Sequence, residues 1–416
     1  MPLRLLICSD SPAATSGYSI QVRHAARMWR DLGHTVAICA TFGHHGSVGE
    51  WDGFKMYPGG LDGFGNDAIG PAARDFKADL VVTLKDVWVY RPAEWGQGVR
   101  WLPMVPVDHD PLPQGIASIL RSAPAYGTIA YSPHGRDNLA DAGFAPFFAP
   151  HCYDPAVMFP EDRAAARAAL GIPDDTFVVG MVAVNRGGIP SRKAWPQNLE
   201  GFALFAREHP QARLLLHTYT GEEGHEQAVN LPVLADQLGI TDRIAFVDQA
   251  AYKHGLPDAH MRRFYSAIDL LNAVSLGEGF GVPTLEAQAC GTPVLVGDWC
   301  AQRDLCFGGA ALPPEDALRF YDGQGAYVYV PHPQAIAGAL HVLAGELAAG
   351  RAAISRKAQE GARRYEYSRV REDWRAVLGA LEDRLRSEVT RGVVRIVHPA
   401  SVFCDASDSW AAEVAR

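Results

Sequence analysis

Short apolar runs alternate with stretches of helical period along most of the chain. The runs LRLLICS (3–9), VAICATF (36–42), DLVVTLK (79–85), WLPMVPVD (101–108) and GTIAYS (127–132) read as buried parallel strands. A strand covered on both faces is apolar throughout, whereas a half-exposed strand alternates. Between the first two runs, Val22, Ala25, Ala26, Trp29 and Leu32 recur at helical spacing, and Gly33 closes the helix. This strand–helix–strand order opens a doubly wound fold. Residues 43–70 are Gly-rich and weakly periodic, so a loop or hairpin is expected. Prolines 146, 150, 155 and 160 mark an inter-domain connection.

A second alternating set follows. Strands are expected at 177–185, 212–219, 243–249, 269–275, 293–298 and 326–331. Helices are expected at 161–172, 198–209, 231–239 and 334–365. Residues 368–389 form a long amphipathic pattern with Val370, Trp374, Val377, Leu378, Leu381 and Leu385 on one side. The reading is α/β, with two doubly wound Rossmann-like domains at 1–156 and 157–366. The remainder, 367–416, is a helix plus a tail that suggests a short strand or an oligomer contact.

Composition narrows the class. At 416 residues and 48% hydrophobic, two full cores are affordable in area, and 20% charged residues is too few for a disordered chain. A net charge of −9 without a long basic run argues against a broad nucleic-acid surface. No apolar run approaches the ~20 residues that span a bilayer. The N-terminus reads as a strand rather than a signal peptide. Seven scattered cysteines without a CxxC pair suit free thiols in a reducing cytoplasm. No metal site is expected: His44 and His45 lack partners at fixed spacing, and GEEGHEQ around His225 is not HExxH.

The chemistry concentrates in EGFGVPTLEAQACGTPV (278–294). A buried strand meets a corner containing Gly277, Gly279 and Gly281, and a helix begins at Pro283. Unpaired helical N–H groups and a positive dipole end make that corner a seat for phosphate. Glu278 and Glu286 bracket it and suit the hydroxyls at the two ends of a nucleotide-sugar. A tight turn whose Glu286 only favours the helix dipole is the plain alternative. Arg186, Arg192 and Lys193 share a loop at a strand's C-terminal end and could match a diphosphate's charge.

Segment 278–294 resembles the signature of the retaining GT-B glycosyltransferases of family 4, EGFGxPxLEAxAxGxPV. The resemblance covers roughly 3–390 and is strongest over 177–298. It implies that Glu278 contacts the donor sugar, Glu286 the ribose, and that Arg186 and Lys193 clamp the diphosphate, with Arg192 an alternative for either. It also implies donor contacts from Phe280, Gly281 and the helix start at Thr284 and Leu285. In the first domain Gly17 matches the family's cleft glycine, with Tyr18 and Ser19 on the acceptor side unless Ser16 or Ser19 merely caps the helix. His109, in Asp108-His109-Asp110, matches the histidine that approaches the donor sugar from the opposite domain. A turn-capping role is the alternative for His109, and Asp110 is a candidate support for it. Asp108-His109-Asp110 also looks like a DxD metal motif, but the resembled enzymes generally need no metal. Ser132–His134 is expected to face the cleft, and the chain near Val247–Ala250 to read the base through backbone groups. The family's NGVD linker is replaced by His151-Cys152-Tyr153-Asp154.

The expectation is therefore a cytoplasmic, metal-independent transferase with no cofactor. Its donor would be a nucleotide-diphosphate sugar, UDP- or GDP-linked, and transfer would retain configuration. The competing readings are a GT-B sugar-nucleotide epimerase and a non-catalytic nucleotide-sugar-binding protein. The acceptor hydroxyl is open among a glycan, a lipid-linked sugar, a small molecule, a protein and a modified base.

Overall fold

The computed structural model describes residues 2–123, 125–187, 190–221 and 227–397, with side chains through 388. The first half runs β1 (Arg4–Asp10), α1 (Gly17–Asp31), β2 (Thr35–Phe42), β3 (Gly49–Trp51), β4 (Phe54–Tyr57), α2 (Asn66–Phe76), β5 (Leu80–Leu84), β6 (Trp101–Val105), α3 (Gln114–Ser122), β7 (Ile129–Ala130), α4 (Pro133–Asp141) and β8 (Phe147–Phe148). These strands form one eight-stranded sheet in the order β3-β4-β2-β1-β5-β6-β7-β8. Every pair is parallel except β3–β4, the hairpin expected within 43–70.

The second half runs α5 (Arg163–Leu170), β9 (Phe177–Val182), α6 (Trp195–Glu208), β10 (Ala212–His217), α7 (Leu231–Gln237), β11 (Ile244–Phe246), α8 (Gln249–His254), α9 (Asp258–Ala267), β12 (Leu270–Asn272), α10 (Val282–Ala289), β13 (Val294–Gly297), β14 (Gly309–Leu312), β15 (Ala317–Tyr321), β16 (Tyr327–Pro331), α11 (Pro333–Ala362) and α12 (Tyr367–Val397). A six-stranded parallel sheet has the order β11-β10-β9-β12-β13-β14. β15 and β16 form a separate antiparallel hairpin.

Each sheet has a switch point where strand order reverses: between β1 and β5 in the first, and between β9 and β12 in the second. Ligands in such sheets bind outside the strands' C-terminal ends at that point. Those ends face each other across the cleft. The chain crosses between the domains twice, side by side: Tyr153 donates its amide to the Tyr365 carbonyl (3.1 Å), and Tyr367 donates to the Tyr153 carbonyl (2.9 Å). α12 then packs on the first domain, where Trp374 meets Trp29 edge-on at 4.9 Å, and Val370, Val377, Leu378 and Leu381 are buried.

One expectation changes. The short strand suggested for the tail is not formed at 394–397, where α12 continues. The rest of the tail and His225 lie outside the described residues. No helix among the described residues is long and apolar enough to cross a membrane.

Candidate active site

At the second domain's switch point the ends of β9 and β12 and the start of α10 enclose a hollow of about 30 Å³, lined by Lys193, Ser275, Glu278, Gly281 and Thr284. Gly281 caps α10 at φ 104°, a left-handed value that favours glycine. The Lys193 ammonium lies directly against Glu278 Oε1. Arg192 Nη1 reaches Glu278 Oε2 at 3.5 Å, Asp108 Oδ2 at 3.7 Å and the Gly277 carbonyl at 3.2 Å. Burial opposes the ionised Glu278 carboxyl, but Lys193 and Arg192 outweigh it and hold its pKa below the usual value. Burial and Arg192 lower Lys193, against Glu278.

Gly17 opens α1, and a Cβ there would sit 4.0 Å from Val282, the first residue of α10. Two helix N-termini thus converge across the cleft, each with its dipole's positive end toward the junction. Ser16 caps α1: its hydroxyl accepts from the Ser19 amide (3.1 Å) and donates to Asp10 (2.6 Å). Ser19 is buried in that cap.

The start of α10 differs from the expectation, and the expected site residues do not all face one hollow. α10 starts one residue earlier than expected, so the Thr284 and Leu285 amides already donate to the Gly281 carbonyl, at 3.0 and 3.2 Å. Leu285 itself is core, and Thr284 offers its side chain to the hollow instead. Phe280 does not face the hollow; it packs among Tyr131, His151 and Tyr365 at the domain interface. Glu286 faces another wall. It accepts from the Tyr265 hydroxyl (3.0 Å) and borders a cavity of about 290 Å³ shared with Ile20, Arg23, Arg27, Tyr153 and Asp258. Burial pushes its pKa up to about 7. Arg186 is exposed and is not among the residues lining either cavity.

His109 is buried, with Nδ1 2.6 Å from Asp108 and Nε2 2.9 Å from Asp322. Burial alone would lower its pKa, but the two carboxylates raise it to about 9. Asp110 supports the loop rather than the imidazole: its backbone pairs with Tyr327 in both directions, at 3.0 and 3.1 Å. Ser132 caps α4, and His134 reaches the second domain by donating its amide to Asp304 (3.0 Å). Near the expected base site, Asp248 caps α8 by accepting from the Ala251 amide (2.8 Å). No cluster of three or more His, Cys, Asp or Glu suited to a metal occurs among the described residues.

Sequence reasoning missed an acidic rim at the first domain's strand ends. Asp10 pairs with Lys85 (2.7 Å), and Asp86 is pushed up to about 6 by burial and by Asp108. Asp10 ends β1 and Asp86 lies two residues past β5, at a buried strand's C-terminal end, the signal that singled out Asp108.

Residues 180–341 match the family model "Glycosyl transferases group 1". The chain superposes on a sucrose-phosphate synthase from Thermosynechococcus elongatus with a TM-score of 0.73 at 19% identity, covering 93% of this chain and 100% of that one. It has the GT-B fold. Anabaena HepE in complex with UDP-glucose gives 0.66 at 17% identity, covering 91% and 100%. By sequence, a D-inositol 3-phosphate glycosyltransferase from Mycolicibacterium gilvum is 33% identical over 207 residues, 49% of this chain and 41% of the relative. One from Saccharomonospora viridis is 32% identical over 234 residues, 55% of this chain and 46% of the relative. These matches span less than half the length of the curated relatives.

Proposed function

We propose that this GT-B protein is a glycosyltransferase that moves a sugar from a nucleotide-diphosphate donor to an acceptor hydroxyl with retention of configuration. The observation that carries the reading is Lys193 held on Glu278 beside the α10 N-terminus, at the second domain's switch point. When a donor binds, its diphosphate takes Lys193 from Glu278 and lies between the converging starts of α1 and α10. Lys193 and Arg192 then stabilise the charge that develops as the sugar departs. Arg186, on the same stretch of chain, is the third cation of the set. Glu278, released from Lys193, accepts hydrogen bonds from the sugar. The nucleoside end lies in the larger cavity, where Glu286 accepts from ribose hydroxyls. The bound nucleotide in the HepE complexes supports a UDP-type donor as the first to test.

The acceptor approaches from the first domain, whose Asp10, Asp86 and Asp108 can orient a polyol. Front-face attack suits this layout, with the departing diphosphate taking the acceptor's proton. No protein nucleophile or metal is required. Closure excludes the water that would otherwise hydrolyse the donor.

A thermal-shift screen of UDP, GDP, ADP and TDP, followed by transfer assays with the matching sugar donors, tests the reading. A true ligand at 100 times its Kd stabilises by about 2.7 kcal/mol. Proton NMR of the product reports the anomeric configuration, and NMR of the donor alone reports epimerisation. Failure of every nucleoside diphosphate to stabilise the protein, with no transfer from any donor, rejects the proposal.

A further inference from the structure

The β15–β16 hairpin belongs to neither sheet, yet it joins the two domains at the cleft. Its root is fixed to the second domain: the Tyr329 amide donates to the Leu276 carbonyl (3.0 Å), and the Tyr329 ring stacks on Trp299 (5.4 Å). Leu276 is two residues before Glu278. Its tip is fixed to the first domain through the paired Tyr327 and Asp110 backbones. At the tip, Asp322 is aimed from both sides. Its Oδ1 accepts from the Gln324 amide at 2.8 Å, and its Oδ2 meets His109 Nε2 at 2.9 Å.

We infer that Asp322 is a positioning residue, which holds His109 as a doubly hydrogen-bonded imidazolium at the cleft. This rests on the transferase reading above and adds a residue to it. With a carboxylate at each ring nitrogen, both nitrogens donate, so His109 carries a proton it does not give up as a base. Asp108 on its own loop and Asp322 on the hairpin touch the ring, Asp86 after β5 feels its charge, and the His134 Nε2 meets the His109 carbonyl at 2.8 Å; one contact further out, Arg192 reaches Asp108 at 3.7 Å and the Tyr329 hydroxyl donates to Asp110 at 3.5 Å. Charges alternate from the hairpin to the donor seat: Asp322, His109, Asp108, Arg192, Glu278, Lys193. Loss of the first charge releases the proton of the second. Asp108 is then free to draw Arg192 away from Glu278.

The test uses the full chain with Asp322→Asn, an isosteric change at a partly exposed turn, and Asp322→Glu as the conservative rescue. Imidazole NMR follows His109 from pH 5 to 10, and kcat is measured over the same range with the Kd of the nucleoside diphosphate. In the wild type both ring N–H groups persist to about pH 9. In Asp322→Asn the midpoint falls by a unit or more. The upper limb of the kcat profile falls with it, the Kd stays within twofold, and Asp322→Glu restores most of the difference. An unmoved His109 midpoint overturns the inference, and so does a moved midpoint with an unmoved kcat profile. If the wild type transfers no sugar, the function proposed above fails instead, and the imidazole titration still decides whether Asp322 sets the charge of His109.

Discussion

At the scale of single residues, Lys193 and Glu286 do different work although the resemblance presents them as parts of one site. Lys193 sits at the donor seat with its charge already paired to Glu278. Removing one charged donor from such a site costs about 10²–10³ in kcat. Lys193→Ala is therefore expected to lower kcat by that factor, and unchanged kcat at saturating donor would reject the clamp. Glu286 is expected to act through pH. Its pKa is about 7 when folded against an ordinary 4.5, so the folded state holds the extra proton between those values. Folding stability from this group is thus greatest at low pH and falls as pH rises from 4.5 to 7. A ribose needs the ionised form, so nucleotide affinity should run the other way and weaken about tenfold from pH 8 to 6. Glu286→Gln should flatten that dependence, and calorimetry showing equal slopes in both proteins removes the ribose role. The sequence showed both glutamates but not their directions. Thr284 lines the hollow, and Glu286, two positions on, is turned about 200° around the helix, which places it on the opposite wall.

At the scale of elements, what was legible follows from burial. Fully covered strands and the α10 corner announce themselves by continuous apolar runs and glycines. Gly277 shows why a corner glycine can serve two ends: a Cβ there would lie 1.9 Å from the Asp108 carbonyl of the other domain. Its smallness admits the first domain, which one segment of sequence could not reveal. The helices α2, α3 and α9 were missed, and so were β14, β15 and α8, which are short and lie at the edge of or outside the main sheets, where the apolar signal is weak. The Ala-rich α5 gave its helix away but hid its anchor. Arg167 is fully buried and donates to the carbonyls of Pro173, Asp174, Thr176 and Ala267 and to Asp269. Asp269 also binds Arg163 and Arg351, which ties α5 and α11 to the strand β12 that leads into the donor seat. Breaking a buried pair by removing one partner costs about 3–5 kcal/mol. Arg167→Met is expected to lower unfolding stability by that amount, and a denaturant midpoint within error of the wild type contradicts the anchoring role.

At the scale of the whole molecule, the two domains touch across the cleft. The hollow at the donor seat, about 30 Å³, is too small as it stands for a whole sugar diphosphate. Asp108 rests on Gly277, the tip of the β15–β16 hairpin pairs with Asp110, and the hinge consists of two chain crossings bonded side by side. Donor binding must therefore follow opening, and the hairpin is the contact that has to release. Asp110 and Tyr327 exchange both backbone hydrogen bonds, which sets their Cα atoms roughly 5.5 Å apart, within the range of a disulfide. The double variant Asp110→Cys, Tyr327→Cys should close this contact covalently when oxidised. Nucleotide association, followed by stopped flow, should then slow at least tenfold and recover on reduction, because only the opened population accepts the donor. The reduced form supplies the control for the lost Asp110 and Tyr327 side chains. Equal association rates in the two redox states would mean that the donor reaches Lys193 without parting the hairpin from the first domain, and opening would have to be assigned to another contact.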